Sequence, residues 1–394
     1  MSASEDHPSF VPPPDAVGDL VERALTFADN GNRIGVIAAL GGAAVSAEDG
    51  TVRMMLLRAL APLTSVEGRA AFLRQCAHLS PTLPAQYAAA REATVARGLK
   101  RAALPDRMTA SDDFIECVTF KSLINETDNP LIGQVMAVVS DYFGRRAAQA
   151  MVGGALPMAR LAGDVFTVGL GSGAVKLRQR SEETNVQGGL FFMYEPGLIR
   201  WIAGFTPDDV FLDIGANIGK YALTAARLTA ARTYALEPFS TNVEALEDNI
   251  RLNGLEGIVT PLRLALSDRT GVADLGFGRR SAGEANQNLV HTLPSAGVST
   301  EPVETARLDD LIDAGRVPTP TRIKIDVDGE EWRLINGMRR TLLDPRLTSI
   351  RIEIRPSDAN AAAIRRIEDS GFIGASDDDA KNVLFMRRVR PLRT

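Results

Sequence analysis

Two acids and a glycine-rich turn carry the first chemistry this sequence offers. Asp213 lies in the apolar run Val210-Phe-Leu-Asp-Ile, and Gly215, Asn217 and Gly219 follow it. Glu237 ends a second apolar run, Thr233-Tyr-Ala-Leu-Glu, 18 residues beyond Gly219. A glycine turn between a buried strand and a helix lets a ligand come close to backbone, beneath unpaired helix N–H groups. A Walker A loop needs four residues between its glycines and a Ser or Thr after its Lys. Here Gly215 and Gly219 enclose three, and Tyr221 follows Lys220. A dinucleotide fingerprint is broken by Asn217, which stands where backbone would have to touch a pyrophosphate. The remaining pattern, D-x-G-x-N-x-G, suits a cationic ligand that carries an amino acid. A carboxylate at the end of the next strand, Glu237, is placed to accept from both hydroxyls of a ribose.

These residues need a parallel sheet to bring them together, and the chain supplies its strands at intervals. After Glu237, Thr241 and Glu244 have capping-box spacing, and Val243, Leu246 and Ile250 form the stripe of a helix that stops at Asn253-Gly254. A third strand, Val259 to Leu266, delivers Ser267 and Asp268 to the same edge as Asp213 and Glu237. A fourth, Thr321 to Gly329, alternates Ile323, Ile325 and Val327 with Lys324, Asp326 and Asp328. Its carboxyl end lies beside the first strand in a doubly wound sheet, which sets Asp326 near the reacting centre. Ser349 to Ile354 reads as a fifth strand, Ala361 to Gly371 as a helix and Asn382 to Arg388 as the last strand.

In order and spacing, Asp213 to Gly219, Leu236-Glu-Pro238, Asn242, Asn249, Leu252-Asn-Gly254, Ala265 to Asp268, Leu308-Asp-Asp-Leu311 and Ile323 to Gly329 resemble the FkbM-type S-adenosylmethionine-dependent O-methyltransferases, over roughly residues 195–388. The resemblance implies an α/β fold with a doubly wound Rossmann-like methyltransferase sheet. It implies S-adenosylmethionine as cofactor, held by Asp213, Gly215, Asn217, Gly219, Glu237, Pro238, Asn242, Ser267 and Asp268, with the Ser267 corner bordering the adenine. A similar Glu195-Pro segment precedes the turn in the family and borders its cofactor cleft. The implied reaction moves a methyl group, by in-line displacement, to a hydroxyl of a sugar, glycolipid or secondary metabolite. Asp326 is expected to orient or accept the proton of that hydroxyl, with Lys324 or Glu353 as alternatives. The chain departs from the family at Asp328, where Glu is usual, at Gly329-Glu-Glu331, which adds an acid, and at Arg355, where a His is common. No histidine base is therefore carried over.

Two other readings compete. An NAD-dependent Rossmann enzyme is opposed by Asn217. A non-catalytic scaffold whose helical half binds a partner protein is opposed by the intact Asp213, Glu237 and Asp326.

The 394 residues, 45% apolar and 24% charged, suffice for two or three globular domains. A net charge of −5 speaks against a general nucleic-acid binder and for a small-molecule or glycan acceptor. Cys76 and Cys117 lack metal or disulfide spacing, and His7, His78 and His291 are scattered, so no metal site is expected. The opening residues lack a basic segment followed by an apolar one, and no apolar run is long enough to span a bilayer; a cytoplasmic protein is expected. Residues 1–14 read as a disordered lead-in, 15–158 as an all-helical domain and 159–394 as the methyltransferase domain. Helical segments are expected at about 15–28, 33–46, 51–61, 67–79, 84–103, 111–125 and 130–150. The helical half has two open roles, packing with oligomerisation or binding of an acceptor or protein partner. A hairpin is expected across Gly169 to Gly173. Residues 276–300, with Arg279, Arg280, Asn286, Gln287, Asn288 and His291, read as a polar lid on the acceptor side.

Overall fold

The computed structural model describes residues 17–30, 32–46, 50–99, 111–127, 129–152, 159–171, 173–189, 191–192, 195–283, 285, 287–289, 298–327, 329–354, 357–376 and 382–388. The lead-in, Asn286, His291, Asp328 and Arg355 lie outside them. The chain groups into two units, residues 1–174 with 185–197, and residues 175–184 with 198–394. The division falls at 174 rather than at the expected 158. Strands Ala159–Ala162 and Val165–Leu170 group with the helices, and residues 185–197 return to them. Phe192 N holds that return by donating to Asp141 at 3.1 Å.

The first unit contains helices Val17–Asp29, Arg33–Ser46, Gly50–Leu60, Val66–Cys76, Leu83–Leu99, Asp112–Ser122 and Pro130–Val152, close to the segments read from sequence. Ser65 and Ser111 start two of them by accepting from Gly68 N and Phe114 N. The core is aromatic at its centre, where Phe120 stacks on Phe143 at 5.8 Å and meets Phe72 edge-on. Glu116, fully buried, is matched by Tyr87 Oη at 2.7 Å, Arg91 Nε at 2.8 Å and Arg69 Nε at 3.4 Å. A buried carboxylate is tolerated because it is paired this fully. Strands Val165–Leu170 and Gly173–Arg178 stand at the positions expected on either side of the Gly169 to Gly173 turn.

The second unit is built on a seven-stranded sheet, whose strands in chain order are β1 (Val210–Ile214), β2 (Arg232–Leu236), β3 (Val259–Leu262), β4 (Arg322–Ile325), β5 (Ser349–Glu353), β6 (Phe372–Ser376) and β7 (Asn382–Arg387). Their spatial order is β3-β2-β1-β4-β5-β7-β6, parallel except for β7. The chain fills one side through β3 and then crosses to β4. The β1 and β4 ends therefore part at the topological switch point, where open α/β sheets bind ligands. Leu212, Ile214, Ile323, Ile325, Ile350 and Ile352 face one core. Asp213, Lys324 and Arg351 lie side by side in register on the other face.

Several expectations change here. The third strand ends at Leu262, because a three-residue turn closed by Leu264 N on Leu262 O redirects the chain. Ala265–Leu266 then joins a second sheet, in the order Ala265–Leu266, Ser299–Ala306, Gly271–Phe277, Asn288–Leu289. Part of the expected polar lid is thus strand. The helix after β2, Ser240–Asn253, has Phe239 at its cap position and no Thr241 capping box. Glu301 of the second sheet takes that place, accepting from Ser240 N and Ser240 Oγ, each at 2.8 Å. Strand β6 was not anticipated.

Candidate functional site

The turn after β1 is locked onto β2. Gly215 N and Ala216 N both donate to Leu236 O, at 2.9 and 3.0 Å. Gly215 has φ +75°, and a Cβ there would stand 1.9 Å from Asp326 O at the end of β4. Glycine is thus required by both conformation and space. Asn217 occupies the left-handed region at φ 51°, which Asn tolerates better than most residues. Its Oδ1 accepts from Ile218 N at 2.8 Å and its Nδ2 donates to Gly283 O at 3.2 Å. Gly219, at φ +92°, opens helix Lys220–Thr229 against Leu246.

Above this turn lies an open cleft. Of the residues read as cofactor-binding or catalytic, Gly215, Asn217, Glu237, Pro238 and Asp326 line it. Glu237 Oε2 accepts from Asn217 N at 2.8 Å, and Oε1 from Phe239 N at 3.0 Å. Burial pushes this carboxyl up to about 7, against the lowering pull of those two N–H groups, the Asn242 side chain and the Lys324 charge.

The other predicted residues lie behind these. Asp213 is fully buried and Lys324 nearly so. The Lys324 ammonium stands 3.2 Å from Asp213 Oδ1 and 3.4 Å from Asp326 Oδ2, and donates to Gly215 O at 3.1 Å. It ties the first strand, the turn and the fourth-strand acid together. Asn242 hydrogen-bonds the Glu237 carboxylate from behind and accepts from Gly283 N at 2.8 Å. Asn249 and Asn253 bind backbone of Arg178 and Lys176, at 2.8 Å each, fixing strand Gly173–Arg178 to the helix that follows β2. Ser267 and Asp268 do not line the cleft; Leu264, Ala265 and Leu266 of that corner do. Asp268 is turned to Arg333, 3.6 Å away.

The sequence reading did not assign a site role to Glu330, although it singled out the added acid. Glu331, by contrast, is a buried support: its Oε1 accepts from Gly329 N at 3.0 Å and its Oε2 from Asn360 Nδ2 at 3.1 Å. Glu330 lines the cleft, as do Leu275, Gln287 and Leu289 of the second-sheet segment. Gln287 belongs to the polar lid expected on the acceptor side, whereas Leu275 and Leu289 become legible only once the second sheet is known. Among the described residues, no group of three or more His, Cys, Asp or Glu side chains is arranged to hold a metal ion, and no helix is long and apolar enough to cross a membrane.

Strand order, glycine turn and the acid at the end of β2 together define a doubly wound, Rossmann-like α/β fold. Residues 213–373 match the methyltransferase FkbM domain family. The hexuronic acid methyltransferase AglP of Haloferax volcanii is 33% identical over 135 residues, 34% of this chain and 52% of that relative. The 31-O-demethyl-FK506 methyltransferase FkbM of Streptomyces tacrolimicus is 27% identical over 200 residues, 44% of this chain and 76% of the relative. The matched region thus spans about half the length of the first of these proteins. A solved structure of a methyltransferase FkbM from Methylobacillus flagellatus aligns with 52% of this chain and 54% of its own, at 14% identity and a TM-score of 0.35.

Proposed function

We propose that the cleft binds S-adenosylmethionine and that the protein transfers its methyl group to an oxygen of a small-molecule or glycan acceptor. The observation that carries this reading is the charge of the cleft. Glu237, Asp326 and Glu330 line it, and no Lys or Arg side chain is among its described lining residues. Carboxylates favour a cationic ligand rich in hydroxyl donors, and they oppose the diphosphate of a dinucleotide. Gly215, which admits no Cβ, leaves the turn open to a close ligand.

The cofactor supplies a methyl group on a sulfonium, already activated for displacement. The protein's own part is to align and to exclude water, effects worth up to ~7–11 kcal/mol in favourable intramolecular cases. Glu237 accepts from the ribose hydroxyls, and Asp326 takes or orients the acceptor proton. Lys324 holds the Asp326 carboxylate in place from below. The two relatives are named for a hexuronic acid and for a demethylated FK506 oxygen, which supports an acceptor of the sugar or secondary-metabolite class.

Incubation of the full chain with isotopically labelled S-adenosylmethionine and extracts of candidate acceptors, followed by mass spectrometry, tests the proposal. Label is expected on an oxygen of one acceptor class. Label on nitrogen or carbon, or transfer that persists in Asp326→Asn at full rate, would overturn the assigned chemistry.

A further inference from the structure

The corner of the cleft beyond the ribose position combines an apolar wall with one acid. Leu264 and Leu266 contribute from the chain after β3, and Leu275 and Leu289, paired across the second sheet, close it. A flat base is suited to such a wall. Helix Glu331–Gly337 runs along the same corner: a Cβ on Gly337 would stand 2.0 Å from Ser267 O. From this helix Arg333 reaches in two directions. Its guanidinium meets Asp268 at 3.6 Å and Glu330 at 3.1 Å, while it lies over the Trp332 ring at 4.4 Å.

Two carboxylates are therefore held within the span of one guanidinium, but they face different ways. Asp268 is directed to Arg333 and does not line the cleft, whereas Glu330 lines it. A carboxylate offers about four acceptor positions, so an ion pair with Arg333 orients Glu330 without exhausting it. We propose that Glu330 accepts a hydrogen bond from the 6-amino group of the adenine, the part of the cofactor that the family resemblance assigned to the Ser267-Asp268 corner. The proposal rests on the cofactor reading above. It makes Glu330, an acid this chain adds to the family pattern, a determinant of purine specificity.

The test pairs a deletion in the ligand with a deletion in the protein. The full-length protein, Glu330→Ala, Glu330→Gln and Asp268→Ala are each titrated calorimetrically with S-adenosylhomocysteine and with its counterpart lacking the 6-amino group. A hydrogen bond to a charged acceptor predicts that the unmodified protein binds the counterpart ~10–100-fold more weakly. Glu330→Ala should bind the two ligands alike, and Asp268→Ala should keep the preference. Glu330→Gln preserves length and should lose part of it, so a folding failure of the alanine variant leaves the test standing. An undiminished preference in both Glu330 variants, or its loss in Asp268→Ala alone, overturns the assignment of Glu330. If the unmodified protein binds neither ligand, the cofactor reading itself falls.

Discussion

Cofactor binding should be coupled to a proton at Glu237. The carboxyl is buried and pushed up to about 7, mainly by loss of water, although Asn217 N and Phe239 N both donate to it. Near pH 7 about half of this group is therefore protonated before the cofactor binds. By linkage, the contribution of this group to stability is fully present below its unfolded value and is lost as pH rises through about 7. Ribose hydroxyls donating to the carboxylate favour its ionised form, so binding should expel the proton. At pH 6, a unit below the folded value, the ionised fraction is about one tenth, and affinity for S-adenosylhomocysteine should be up to ~10-fold weaker than at pH 8, about 1.4 kcal/mol. Calorimetry at several pH values, in buffers of different ionisation enthalpy, measures both the affinity and the protons released. Near pH 7 the release should approach half a proton. Glu237→Gln imitates the protonated form, and should bind weakly and without this pH dependence. Affinity that stays flat between pH 6 and 8, or a slope that survives in Glu237→Gln, would refute the reasoning.

Other outcomes follow from the same geometry. Gly215→Ala puts a Cβ 1.9 Å from Asp326 O at a left-handed φ; it should abolish cofactor binding and lower the melting temperature, as calorimetry and thermal unfolding would show. Asp326→Asn should leave cofactor affinity nearly unchanged and lower single-turnover methyl transfer by ~10²–10⁴ if Asp326 handles the proton. Poor affinity with normal turnover would assign Asp326 to cofactor binding. Asp209 clasps the far ends of β1 and β4 through Thr321 Oγ1 at 2.6 Å and Arg322 Nε at 3.0 Å. Burial alone would raise its carboxyl, but these groups and Thr206 N bring it below its ordinary value. Its stabilising contribution is thus present above the unfolded value and lost as pH falls through the folded one. Asp209→Ala should destabilise by ~1–3 kcal/mol at neutral pH and by less in acid, in denaturant unfolding at both pH values.

The sequence carried the α/β core and its turn because local rules decide them. Buried strands, Gly215, Gly219 and the Gly254 helix end are fixed by conformation and apolar pattern, and the helices of the first half by periodicity. What escaped depends on partners far away in the chain. Strand β3 ends at Leu262 because the next residues pair with Thr305 and Ala306, and the Ser240 helix is capped by Glu301, 61 residues on. Neither partner can be read at the position it serves. Strand β6, interrupted by Gly374, lacks the pattern that marks the other strands. In the site, residue type predicted proximity better than direction. Asp213, Asn242 and Asp268 were expected at the cofactor and Lys324 at the acceptor proton, and all four lie one layer behind the cleft, against Lys324, Glu237, Arg333 and Asp326 respectively. Which of two adjacent acids, Glu330 or Glu331, faces the cleft depended on how the chain after β4 enters its helix.

The central claim, that this cleft holds S-adenosylmethionine, is tested most directly by equilibrium titration of the full-length protein with S-adenosylmethionine and, in parallel, with NAD. The account predicts saturable binding of one S-adenosylmethionine per chain, weakened in Glu237→Gln, and no measurable binding of NAD. Saturable binding of NAD, or S-adenosylmethionine binding that Glu237→Gln leaves untouched, would contradict it.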